Sequence, residues 1–330
     1  MSELSIISQI NKSFQNFDLQ LIKGIGDDCA IIDRGKNYEI ISTDMFIEGD
    51  HFSLKWSSAK QIGIKCFEAS ISDIAAMGGA PKYILVSLCL SPKVDEIKFI
   101  KDFYQGIKKR MNFWNKKLRI TLIGGDLTHG DLVCINLTVI GEVEKKYCIQ
   151  RSGAKEGDLI CVTGNLGASF AGLEYLRKFG KNTNRQFLKN HLEPSSRLDA
   201  GLILKNYASA MIDISDGLAS EVRHICDESK TGAIIYKEKI PLSKTTKEMG
   251  FFLKKDPYKW ALSGGEDFEL CFTISKKNYQ KLKIKSQIKS ETKLKIFQVG
   301  QITPKLQGLH LISNGKKSPL PQGYDHFSKS

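Results

Sequence analysis

The strongest constraint in this 330-residue chain is a recurring pattern in which an apolar, strand-forming run adjoins glycine or serine and then aspartate. Gly24-Ile-Gly-Asp-Asp-Cys-Ala-Ile-Ile32 leads two adjacent carboxylates into an apolar run. Tyr38–Asp44 closes on Ser42-Thr43-Asp44, and Arg119–Asp126 closes on Gly124-Gly125-Asp126. Ala208–Asp213 is followed directly by Ile214-Ser-Asp-Gly217, and Ser263-Gly-Gly-Glu-Asp267 precedes another strand-like run. Any one of these is an ordinary acidic turn, because Gly, Ser and Asp are turn residues. Their recurrence puts carboxylates at the ends of successive strands, where α/β proteins build sites.

Between these runs lie helical patterns. A short helix is expected over residues 4–14. Gly24–Ile32 turns into the first strand, and Tyr38–Asp44 is a second strand ending at its carboxylate. His51 follows in the loop Met45–Phe52. Ser57–Met77 reads as a helix capped by Ser57 or Ser58, stopped by Gly78-Gly79 and carrying Asp73 near its end. Tyr83–Leu90, Leu132–Val143 and Leu159–Thr163 read as strands, and Val94–Trp114, Ala168–Phe179 and Ala219–Ser229 as helices. Phe187–Leu204 is helical on either side of Pro194. The alternation predicts a mixed α/β (α+β) fold of two domains, each with its own core. The boundary falls at the polar, glycine-bearing stretch Gln150–Asp158, giving residues 1–150 and 151–330.

Composition narrows the function. With 41% hydrophobic and 26% charged residues, the chain has the make-up of a soluble globular protein. It has no apolar run near the ~20 residues of a membrane span. The N-terminus lacks the basic-then-apolar order of a signal peptide. The 8 cysteines are scattered, none in a C-x-x-C pair, which fits buried thiols in a reducing cytoplasm. The net charge of +13 is spread mostly over lysines, densest in 275–295, which read as solvated faces of a helix and a loop. No basic groove with interleaved aromatics accompanies them, so no nucleic-acid partner is expected.

The chemistry available to these residues is that of oxygen ligands. Asp28, Asp44, Asp73, Asp126, Asp213 and Asp216 suit Mg²⁺ rather than zinc. Converging carboxylates repel one another unless several cations lie among them, which suits a nucleotide triphosphate held through metal bridges. Asp213 and Asp216 lie at a strand-to-helix junction that favours phosphate. There is no G-x-x-x-x-G-K-[ST] loop, no protein-kinase motif set and no G-x-S-x-G elbow. A lone loop histidine such as His51 more often binds substrate or packs than acts as a base, and His129, His191, His224 and His310 read as structural.

Eight motifs occur in order: Gly24–Ala30; Ser42-Thr-Asp44 with Glu48-Gly-Asp-His-Phe52; Ser72–Gly79; Gly124–Asp126; Arg151–Lys155; Asp213–Gly217; Ser263–Asp267; and Gly323–Phe327. Together they resemble the thiamine-monophosphate kinases of the aminoimidazole-ribonucleotide-synthetase-like superfamily, from about residue 20 to the C-terminus. The resemblance implies ATP-dependent phosphorylation of thiamine monophosphate to thiamine diphosphate. It also implies an N-terminal ATP- and metal-binding domain that dimerises through its sheet and a C-terminal α/β sandwich. Asp28, Asp44, Asp73, Asp126, Asp213 and Asp216 would hold several Mg²⁺ ions with Ser42 and Thr43. Gly125, Asp126, Arg151 and Ser215 would contact ATP. His51, Glu266 and Tyr324 would contact the thiamine moiety, and Asp27 and Asp267 would support the site. Leu127-Thr128 stands where the family more usually has Thr-Thr. The sulfur- and selenium-handling members of the superfamily are disfavoured, because no glycine-flanked N-terminal cysteine and no cysteine tail is present. A purine-precursor cyclase would lack Glu48–Phe52 and Tyr324–Phe327.

Overall fold

A computed structural model describes residues 3–14, 18–181, 186–288 and 294–324. The tail of the last motif, 325–327, and much of the lysine-rich stretch beyond 288 lie outside the described residues. The strands are β1 (Leu21–Lys23), β2 (Ala30–Arg34), β3 (Asn37–Ile47), β4 (Ala80–Leu90), β5 (Thr121–His129), β6 (Cys134–Glu144), β7 (Leu159–Val162), β8 (Ala210–Asp213), β9 (Gly232–Tyr236), β10 (Leu270–Ile274), β11 (Phe297–Thr303), β12 (Leu309–Ser313) and β13 (Lys316–Pro319). The helices are α1 (Glu3–Ser13), α2 (Ala59–Ala76), α3 (Glu96–Trp114), α4 (Ala168–Phe179), α5 (Lys189–Leu192), α6 (Leu198–Leu204), α7 (Leu218–Ser229), α8 (Lys244–Leu253), α9 (Pro257–Ser263) and α10 (Lys276–Ile288). The strands form two sheets, one ordered β1-β2-β3-β6-β4-β5 and the other β13-β12-β9-β11-β7-β10-β8.

Two sequence expectations shift. The first strand is the short β1, ahead of the glycine turn, and Ala30–Arg34 is the second. The strand expected to end at Asp44 continues to Ile47, because β6 pairs with it from Asn37↔Glu144 through to Ile47↔Cys134. Asp44 therefore lies within a strand, opposite Leu137 and on the face of buried Ile40 and Phe46.

Helix α2 explains how the two halves meet. The Ser58 hydroxyl and the Gln61 side chain form a reciprocal capping box at its start. Every residue from Ile62 to Ser72 is buried, so α2 is wrapped on all sides rather than on one stripe. It packs on β3, β4 and β6 of the first sheet, on α3, and on α6 and β8 of the second half. Small residues permit these close crossings. A methyl group at Gly63 would meet Phe103 O at 2.2 Å, one at Gly106 would meet Lys60 O at 2.1 Å, and one at Gly201 would meet Ala75 O at 2.2 Å. The first core runs from Ile40, Phe67 and Val86 through Leu198 and Leu204 to Met211, Phe272 and Ile274. The expectation of a separate core in each half is met only in part: α2 is buried on all sides, so the first core runs continuously through both halves. A second core, with Ile212, Val222 and Ile235, fills the other face of the second sheet.

Buried Glu68 pins this junction. It accepts from Arg110 Nε (2.5 Å), Trp114 Nε1 (3.0 Å), Ser196 N (2.7 Å) and Ser196 Oγ (2.8 Å).

Candidate active site

The aspartates converge where α2, β3, β8 and the β1–β2 turn meet. Gly26 has φ 112°, a left-handed value that glycine adopts without strain, and the turn presents Asp27 and Asp28 inward. Asp27 accepts from the Arg151 main-chain N–H at 3.3 Å, and Asp28 Oδ1 accepts from Arg151 Nη2 at 2.8 Å. Asp73 sits in the last turns of α2 and accepts from the Ser42 hydroxyl. Asp213 closes β8. One oxygen each from Asp28, Asp73 and Asp213 lies within 4.8 Å of the others.

Such crowding penalises ionisation. Burial, then the nearby Asp28, push Asp213 up to about 8. Burial followed by Asp44, Asp213 and Asp28 raises Asp73 well above the usual carboxylate range. Burial raises Asp44 as well, and lifts Asp28 despite the opposing Arg151 guanidinium. Asp28 Oδ2 is buried without a hydrogen-bond partner. Glu221 on α7 is buried too, and is raised by burial and then by Asp216 and Asp213. Its Oε1 accepts from Asp216 N at 2.9 Å.

Asp44, Asp73, Asp213, Ser215 and Asp216 line a cavity of about 340 Å³ together with His51, Phe170, Glu266 and Tyr324. Glu266 stands at φ 57°, an uncommon backbone for glutamate, and its main-chain N–H donates to Ser215 O at 2.7 Å. Burial alone would raise its carboxyl, but Lys65 and His191 outweigh it and hold Glu266 at about 2. His51 Nδ1 accepts the Ile47 N–H at 3.2 Å, so that nitrogen is committed to the loop. Tyr324 donates its hydroxyl to Asp50 at 3.3 Å and its main-chain N–H to Asp216 O at 3.1 Å, drawing the C-terminal segment over the cavity. Asp267 accepts from Gly167 N (2.6 Å) and Ser169 N (3.2 Å) at the start of α4.

Asp126 and Thr43 lie on the opposite face of the first sheet, while Gly125 falls in the row of Val86, Leu137 and Asp44. The register aligns Met45, Asn136, Ser87 and Asp126 in one row, so Asp126 faces away from Asp44 on exposed β5. Thr43 also points outward, with its Oγ1 2.9 Å from Thr138 Oγ1. Gly125 lies beside it on β5. Sequence reasoning missed Lys65, His191 and Glu221. Lys65 and His191 are single ionisable residues in helical patterns whose partner, Glu266, is distant along the chain, whereas Glu221 lies five residues from Asp216 and reads as an ordinary helix residue.

Two models of the AIR synthase related family match the chain, the N-terminal domain over residues 26–143 and the C-terminal domain over 155–308. A thiamine-monophosphate kinase of Buchnera aphidicola from Schizaphis graminum is 44% identical, covering 99% of both chains. The chain belongs to the thiamine-monophosphate kinase family. The family member of Escherichia coli K12 is 35% identical over 99% of this chain and 98% of its own length. The solved structure of AaThiL complexed with AMPPCP and TMP superposes with TM-score 0.85 at 31% identity, covering 99% of this chain and 97% of that one. Family membership accounts for the mixed α/β fold and for the paired sheets on which the aspartates sit.

Proposed function

We propose that the protein transfers the γ-phosphoryl group of ATP directly onto the phosphate of thiamine monophosphate, forming thiamine diphosphate. The observation that carries this reading is one cavity lined both by mutually repelling carboxylates and by Glu266, His51 and Tyr324. The AMPPCP and TMP of the similar AaThiL structure are a nucleotide analogue and a ligand of the kind this reading requires.

The donor set fits Mg²⁺. It is all oxygen, its carboxyls are raised by burial and by one another, and Asp28 Oδ2 lacks a partner. Asp28, Asp44, Asp73, Asp213 and Asp216, with Ser42, are the residues that would hold the ions. Bound Mg²⁺ supplies charge neutralisation between the donor and acceptor phosphates. The protein's own part is positioning. Arg151 fixes the Asp28 turn and offers a guanidinium beside it, and Ser215 anchors the loop carrying Glu266. The anionic Glu266 suits the cationic thiazolium of the substrate, and Tyr324 gives an aromatic wall. An acceptor phosphate is already ionised at neutral pH, so no side chain is needed as a strong general base. His51, tied through Nδ1, acts as a substrate contact.

We also assign Gly125, Asp126 and Thr43 to nucleotide and metal binding in a homodimer. Met45 and Tyr83 are 54% and 46% exposed on the open face of the first sheet, and a second copy laid there would bury them. That docking would carry Thr43, Gly125 and Asp126 into the interface. A domain boundary at 150/151 is supported by the strands: those of the first sheet all precede it and those of the second all follow. Among the described residues no helix is long and apolar enough to cross a membrane, and we place the protein in the cytoplasm.

The test is incubation of the purified protein with ATP, Mg²⁺ and thiamine monophosphate, with chromatography of the products. Thiamine diphosphate should form, vanish with EDTA, and be absent when thiamine replaces the monophosphate. Failure to form it with all three present would overturn the assignment.

A further inference from the structure

Glu266, which lines the cavity, depends on a residue that does not line it. Lys65 lies on α2 with its side chain 5% exposed. Its ammonium reaches Glu266 Oε1 at 2.6 Å and the main-chain carbonyl of His51 at 2.6 Å. The other Glu266 oxygen takes His191 Nδ1 at 3.2 Å, and Ser169 Oγ steadies that imidazole at 3.2 Å. One ammonium therefore ties together two of the three residues assigned to the thiamine moiety, one from each half of the chain.

We propose that Lys65 is a positioning residue for substrate recognition, fixing Glu266 and the His51 loop as one receptor for the cationic heteroaromatic end of the acceptor. This rests on the reading of Glu266 and His51 as thiamine contacts. A glutamate in a left-handed turn has few ways to keep its carboxylate aimed, and a charge-assisted bond to a lysine on a wrapped helix supplies one. The same helix sets the spacing. Lys65, Ala69 and Asp73 follow at intervals of four along one face, and Ala69 and Asp73 both line the cavity. Eight residues of α-helix span about 12 Å, so α2 holds the receptor for the cationic end and the metal-binding carboxylates at a fixed separation. The small Ala69 between them leaves room for the body of the acceptor.

The test is steady-state kinetics with ATP, Mg²⁺ and thiamine monophosphate on wild type, Lys65→Met, Lys65→Arg, Glu266→Gln and the Lys65→Met/Glu266→Gln double variant. Lys65→Met should raise KM for thiamine monophosphate about tenfold or more while KM for ATP stays within about twofold. Lys65→Arg should recover part of the loss. The double variant should be no worse than Glu266→Gln alone within about twofold, because both changes remove one receptor. If Lys65→Met does not fold, Lys65→Gln carries the same expectation. An unchanged KM in Lys65→Met beside a raised one in Glu266→Gln would overturn the role of Lys65 and leave the subsite standing. Equal rises in both KM values would make Lys65 merely structural and overturn the proposal. If Glu266→Gln itself leaves KM for thiamine monophosphate unchanged, the subsite assignment fails and the proposal falls with it.

Discussion

Asp213 ends a strand with its carboxyl buried and two further carboxyls close by, so in the bare protein it has no comfortable ionised state. Replacing it by asparagine keeps the shape and removes one source of repulsion. Asp213→Asn is expected to lower kcat on the order of a hundredfold or more, as for loss of a charge-stabilising group at a reacting centre. Its melting temperature without Mg²⁺ should equal or exceed that of wild type. Wild-type turnover in this variant would remove Asp213 from the ion-binding set. At this scale the sequence was readable where a carboxylate lay within two residues of glycine or serine at a strand end, as with Asp28 and Asp213. Asp73, among small helical residues, reads equally as a structural hydrogen-bonder and as a ligand, and only the other aspartates draw it into the set. Lys65 and His191 carried no such mark. A lysine in a helix normally reads as solvated surface, and only the fold brings Glu266 to it.

Helix α2 touches both sheets, so damage to it should be felt throughout the molecule. Glu68→Ala would leave Arg110, Trp114 Nε1 and Ser196 N without their buried acceptor. Breaking a buried pair from one side costs about 3–5 kcal/mol, and urea unfolding of the variant should show a loss of that order. Gly63→Ala places a methyl group 2.2 Å from Phe103 O, so α2 and α3 must part. Overpacking of this kind costs about 1–3 kcal/mol, which the same urea titration would read. The span of α2 was legible because a Ser cap opens it and Gly78-Gly79 closes it. The full length of β3 was not. Ser42-Thr43-Asp44 looks like a strand end, and only pairing with β6 carries the strand past it.

Across the whole molecule, the raised carboxyls tie stability to pH and to divalent ions. An acid whose folded pKa is raised keeps protons that the unfolded chain has released. Stability therefore falls as pH rises from the unfolded value of 3.8 towards about 8 for Asp213. Metal-free protein should melt at lower temperature at pH 8 than at pH 6, and Mg²⁺ should raise the melting temperature more at pH 8. Scanning calorimetry at the two pH values checks both signs. The two-part organisation was legible from the alternation of strands and helices and from the break near residue 150. The shared core was not, because a helix buried on all sides does not announce which sheets it will lie between. That sharing also orders events in time. Asp28 and Asp73 come from one half and Asp213 from the other, so an ion finds its full set of ligands only after both sheets have closed on α2. On the proposed Mg²⁺ reading, ion capture is expected to follow the folding transition state. In stopped-flow experiments on the full chain, Mg²⁺ should slow unfolding and leave the refolding rate nearly unchanged. The ion would act as a latch on the finished molecule.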